Sequence, residues 1–182
     1  MKTLYACLAL VLLCVGCSKP SSVADQSFIL TATIKDIMDS MVEPSADEIW
    51  DAVSTVSNAA GVEDRQPRTD EEWTAVRRRA ITLLEATNLI TIEGRHVAKP
   101  GEKARVEAIE LAPEEIERRI YQDRDRFVAL AHALHAATLP ALQAIEARNP
   151  DKLLEAGQAI DEACENCHLK YWYPMDKSPA RK

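Results

Sequence analysis

Apolar residues recur along this chain at intervals of three and four, with no sustained apolar-polar alternation of the kind a half-buried strand needs. Helices are therefore the expected elements. In SFILTATIKDIMDSMV, Leu30, Ile34, Ile37, Met38 and Met41 fall on one face of a first helix. Pro44 interrupts that stripe. SADEIWDAVSTV resumes it through Ile49, Val53 and Val56, with Ser45 and Glu48 spaced as a capping box, so a kink or two short helices is expected. A second helix opens at Thr69, where TDEEW again pairs a hydroxyl with a glutamate three residues on; Trp73, Val76, Ala80, Leu83 and Leu84 form its stripe, and it ends near Leu89. TIEGRHVAKPGEKAR contains Gly94 and Pro100-Gly101 and has no clear period, which reads as an exposed connection with a mobile middle. A third helix starts at Pro113 and carries Ile116, Ile120, Phe127, Leu130, Leu134, Leu142 and Ile145, with a kink expected at Pro140. A fourth begins with Asn149 as cap and Pro150 in the first turn, and continues through Leu153, Ile160 and Cys164. The pattern predicts an all-α domain.

The first residues, MKTLYACLALVLLCVGC, place one lysine before an apolar run shorter than the ~20 residues of a membrane span. They read as a secretory signal, and no second hydrophobic run follows. Gly16-Cys17 closes it in the manner of a bacterial lipobox, although Cys14 stands where leucine is usual. Cys17 is the candidate lipidated N-terminus, with ordinary signal cleavage nearby as the plainer reading. Residues 1–16 are thus the signal, 17–26 a flexible tether and 27–182 one domain. The expected location is the periplasm, anchored by lipid to a bacterial membrane.

Lysine and arginine number 22 against 29 acidic residues, a net charge of −7 that makes nucleic acid an unlikely partner and favours a partly basic one. No nucleophile-base pair, paired carboxylates or phosphate loop appears, so no enzymatic activity is expected.

Of five cysteines, Cys7 and Cys14 leave with the signal and Cys17 would carry the lipid. Cys164 and Cys167 remain, in ACENCHLKYWYP. On a helix, Cys164, Cys167 and His168 project to one side. In a Cys-x-x-Cys-His sequence two thiols can form thioethers with the vinyl groups of one haem while the adjacent histidine takes the iron. A thioredoxin-like pair would need a βαβ pattern with the motif opening a helix, and a structural zinc site would need four ligands, for which no second pair is present.

Four helices with CENCH in the last and Tyr171 just after it resemble the cytochrome c-prime family over most of the predicted domain. The resemblance implies an up-and-down four-helix bundle with one covalently attached haem c, His168 as proximal iron ligand, and a first-helix residue on the opposite side. IKDIMDSM falls at that place. Met38 is the better match for the methionine of the low-spin branch, and Met41, three residues on, serves if the register differs. Members often carry an arginine or lysine four residues after the proximal histidine; this chain has Trp172 there, with Lys170 out of register.

With histidine and methionine on the iron, the site moves single electrons to periplasmic or membrane-bound redox proteins. If the methionines merely pack, the iron is five-coordinate and binds small gases such as nitric oxide. A third possibility is a haem-free lipoprotein with a disulfide. The resemblance also allows a homodimer. Tyr171, Trp172 and Tyr173 read as an end cap. His132 and His135 read as partly exposed histidines rather than a metal pair, and His96 as a loop residue, a poor axial candidate unless its loop folds over the haem edge. Arg77, Arg78 and Arg79 read as a solvated face, able also to dock an acidic partner or balance haem propionates.

Overall fold

The structure, a computed structural model, describes residues 28–59 and 61–173. The expected signal at 1–16, the lipid site at Cys17 and the tether at 17–26 lie outside the described residues. The protein is mostly helical, as the periodicity predicts. Its elements are α1 (Ile34–Ile37), a π-helical turn (Met38–Val42), α2 (Glu43–Ala52), β1 (Ser54–Asn58), β2 (Gly61–Arg65), α3 (Asp70–Ile90), α4 (Pro113–Gln122), α5 (Arg124–Glu146) and α6 (Pro150–Tyr171).

Three starts follow the expected local chemistry. Thr69 caps α3 by accepting from Glu72 N, and the Glu72 carboxylate returns to Thr69 N, closing a capping box. Pro113 occupies the first turn of α4. The Asn149 side chain accepts from Lys152 N at 3.0 Å, with Pro150 in the first turn of α6. The first helix departs from expectation. Its cap is Thr33, in a capping box with Asp36, so Leu30 precedes the helix. Ser45 caps nothing; it is buried within α2, and its Oγ has no hydrogen-bond partner among the described residues.

Pro44 does not break this helix either. A proline ring collides with the carbonyl four residues back and brings no N–H to it. The chain widens instead: Glu43 N–H donates to Met38 O, five residues back, and the π-helical turn lets the helix continue past Pro44.

The expected helical stripe through Val53 and Val56 is also corrected. The helix stops at Ala52, and β1 (Ser54–Asn58) pairs antiparallel with β2 (Gly61–Arg65), Ser54 opposite Arg65 and Asn58 opposite Gly61. STVS is rich in β-branched and hydroxyl residues that favour extended backbone. Gly61, at φ 131°, takes a conformation that L side chains rarely adopt.

The third predicted helix divides into α4 and α5 at Asp123 (φ −135°, ψ 50°). Its apolar positions skip from Ile120 to Phe127, and the polar residues between offer the core nothing to hold a continuous helix. The Asp123 carbonyl accepts from Tyr171 Oη at 3.0 Å, and its carboxylate pairs with Lys170 at 3.1 Å, so α6 locks this corner. Beyond it, α5 runs through Pro140. By length and composition alone α5 could cross a membrane (mean hydropathy 1.4), an apolar run the sequence reading passed over. Its buried Phe127, Leu130, Leu134 and Ile145 belong to the common core.

α6 packs most extensively on α5, α5 on α3 and α3 on α2, while α2 returns to α6. The last contact is close. Trp50 Nε1–H donates to Gly157 O at 2.9 Å, and a Cβ on Gly157 would lie 3.0 Å from Trp50 Cδ1. A mid-helix glycine costs about 0.5–1 kcal/mol relative to alanine, but here overpacking outweighs that gain because the indole is held by its hydrogen bond. Gly157→Val is expected to lower unfolding free energy by about 2 kcal/mol, read by denaturant titration.

The connection from Thr91 to Ala112 is not a free loop. Val97 and Leu111 are buried. Its backbone caps the first helix, with Ile34 N donating to His96 O and Lys35 N to Val97 O, both at 2.9 Å.

Candidate functional site

Between the first helix, the 97–110 segment and the end of α6 lies a cavity of about 400 Å³. Met38, Cys164, Cys167 and His168 all line it. That volume is within the range of small-molecule and cofactor sites.

The π-helical turn sets what the first helix offers. In an α-helix Met38 and Met41 would share a face; the wider turn rotates successive side chains through a smaller angle and carries them apart. Both methionines pack half-buried against the core, but only Met38 lines the cavity. Ile37, just before the turn, and Val42, at its end, are buried, and Val42 also lines the cavity.

On the opposite wall, α6 supplies the two cysteines and the histidine, and the aromatics after them hold the helix end. Tyr171 is fully buried, meets Phe127 edge-on with ring centroids 5.6 Å apart, and donates its hydroxyl proton to Asp123 O. Trp172 and Tyr173 line the cavity, and the Trp172 carbonyl accepts from Leu111 N at 2.8 Å. Thus only Tyr171 acts as the expected end cap; its two neighbours belong to the site.

The Cys164 thiol is pushed up to about 12, first by burial and then by Cys167, Asp161 and Glu165; burial raises Cys167 to about 11. Both are free, neutral thiols near neutral pH. Burial thus disfavours the thiolate that a disulfide-exchange nucleophile needs. Among the described residues no group of three or more His, Cys, Asp or Glu could hold a bare metal ion.

Burial lowers the pKa of His168, opposed by Glu165, Glu43 and Glu110, and favours the neutral imidazole that a metal ligand must be. Its tautomer follows from proton counting. Tyr173 Oη donates its one proton to Glu165 Oε2 at 2.9 Å, so toward His168 Nδ1, 3.1 Å away, the same oxygen can only accept. Nδ1 therefore carries the hydrogen and Nε2 the lone pair.

The remaining histidines stand elsewhere. His96 Nδ1 pairs with Glu117 at 3.0 Å, its side chain is 71% exposed, and it does not line the cavity although Val97 and Ala98 do. His132 is exposed, while His135 Nδ1 lies 3.0 Å from Thr87 Oγ1. Arg77 and Arg79 form ion pairs with Glu146 and Glu48, and none of the three arginines reaches the cavity.

Residues 91–105 are mostly exposed or half-buried, as the pattern predicts, but they also form a cover over the cavity, which the pattern does not announce. Lys99 pairs with Asp36 at 3.0 Å and Lys35 with Glu102. Arg105 grips Glu43 with two parallel bonds of 3.0 Å and also pairs with Asp39. Ala98, Lys103, Ala104 and Arg105 line the cavity from this segment. The alternation of lysine, glutamate and arginine in KPGEKAR, opposite KDIMDSMVE, was the available signal.

No family model matches the chain, and no curated protein or solved structure matches it either.

Proposed function

We propose that the protein is an exported monohaem c-type cytochrome that carries single electrons, built as a four-helix bundle of the cytochrome c-prime kind. One observation carries this reading: a cavity of about 400 Å³ has two neutral thiols and an imidazole on one wall and a methionine on the other. The donor set fits haem c. Cys164 and Cys167 are spaced to form the two thioether bonds, His168 would offer Nε2 to the iron, and Met38, which lines the cavity where Met41 does not, would be its second protein ligand. Haem held in this way supplies a one-electron couple whose reduced state the soft methionine sulfur favours.

The protein's own part is positioning and exclusion. Tyr171 anchors the end of α6, Pro44 and the π-helical turn present Met38, and the segment carrying Arg105 limits the access of water and other ligands. In this reading Cys17 bears a lipid, residues 17–26 tether the bundle to the membrane, and the partners are periplasmic or membrane-bound redox proteins. No catalysis of its own is assigned.

A second reading rests on Met38 being packed against the core, as an ordinary core methionine also is. The site would then be five-coordinate and bind small gases such as nitric oxide. The ferric absorption spectrum of protein made in a host able to attach haem c decides. A low-spin spectrum supports electron transfer, a high-spin one supports gas binding, and a colourless protein excludes both.

Because the Arg105 contacts fasten the cover to the first helix, Arg105→Ala is expected to speed the binding of added imidazole to the ferric protein several-fold. Stopped-flow absorbance should show high salt having the same effect on wild type and little on the variant.

A further inference from the structure

The Glu165, Tyr173 and His168 side chains form a directed chain on the wall that carries the cysteines; the sequence pattern marks Tyr173 only as part of an end cap and gives Glu165 no role. Glu165 lies one helical turn before His168, and Tyr173 five residues after it. Tyr173 can reach both because the chain leaves helical geometry beyond Tyr171, with Trp172 N and Tyr173 N both donating to His168 O. The imidazole and phenol rings meet at 5.5 Å between centroids, inclined by 53°.

We propose that Glu165 and Tyr173 are positioning residues that set the electron-donor strength of His168. The inference rests on the haem reading above. A carboxylate accepting the phenol proton makes the phenol oxygen a stronger acceptor, and that oxygen draws on the Nδ1–H of the imidazole. Density moves toward Nε2, which becomes the better donor and favours oxidised iron. Partners of this kind are how metal-bound histidines are oriented and tuned. Trp172 fills the place where members of the resembled family carry a cation, and its carbonyl is occupied by Leu111 N. The proximal side is thus tuned by a carboxylate relayed through a phenol.

The test compares holoprotein reduction potentials of wild type, Tyr173→Phe and Glu165→Gln. Tyr173→Phe keeps the ring and its packing but removes both hydrogen bonds. It is expected to favour the reduced state about tenfold, a rise of about 59 mV for one electron, with haem attachment and melting temperature unchanged. Glu165→Gln keeps the phenol and should move the potential the same way by less. Unchanged or lower potentials in both variants would overturn the proposal. If the purified chain carries no haem, the haem reading falls. The ring nitrogen chemical shifts of His168 then decide the relay alone: a Nδ1-protonated ring in wild type that becomes Nε2-protonated in Tyr173→Phe upholds it, and the same tautomer in both overturns it.

Discussion

Met38→Ala is expected to turn a low-spin ferric protein into a high-spin one and to lower its reduction potential substantially, on a scale where axial ligands move haem potentials over about 0.8 V. The reason is geometric. Met38 is the thioether lining the cavity, and the π-helical turn has moved Met41 off that side. Among the described residues no other methionine, and no histidine besides His168, lines the cavity: His96 is paired with Glu117, His135 lies beside Thr87, and His132 is exposed. The variant should keep its covalent haem, since both cysteines and His168 are on α6. Met41→Ala should leave the spin state unchanged. Absorption and electron paramagnetic resonance spectra check both; a Met38→Ala protein that stays low-spin would remove this residue from the iron.

The Cys164→Ser/Cys167→Ser double variant is expected to release all of its haem into acid-acetone, where the wild type releases none. Serine preserves size and leaves His168 in place, so any haem retained before extraction is held by the axial ligands and the cavity. Each single variant keeps one thioether and should remain coloured after extraction. Haem that resisted extraction in the double variant would show that these thiols do not hold it.

The helix starts at Thr69, Pro113 and Asn149 were legible because each is set by contacts within one turn. The buried stripe of α3 was legible for the same reason, since periodicity reports which face a helix hides. What the sequence concealed depended on contacts distant along the chain. The break at Asp123 is held from α6 by Tyr171 and Lys170, and the β1–β2 pair replaces a helix whose apolar spacing fitted equally well. The π-helical turn is a middle case. Pro44 announced a disturbance, but nothing in the local sequence said whether the helix would break or widen. The convergence of Cys164, Cys167 and His168 could be read from spacing alone, whereas Met38 was pointed to only by the family resemblance. Tyr173, Glu165 and Arg105 could not, because their roles follow from how the chain turns after α6 and how residues 96–111 fold back over the cavity.

The intact mass of the full chain, purified from a host able to attach haem c and measured under denaturing conditions, tests the central claim most directly. The account predicts the mass of the processed polypeptide plus one haem, with the added mass confined to the peptide containing Cys164 and Cys167. A polypeptide mass with no haem, from protein that is otherwise folded and helical, would contradict it.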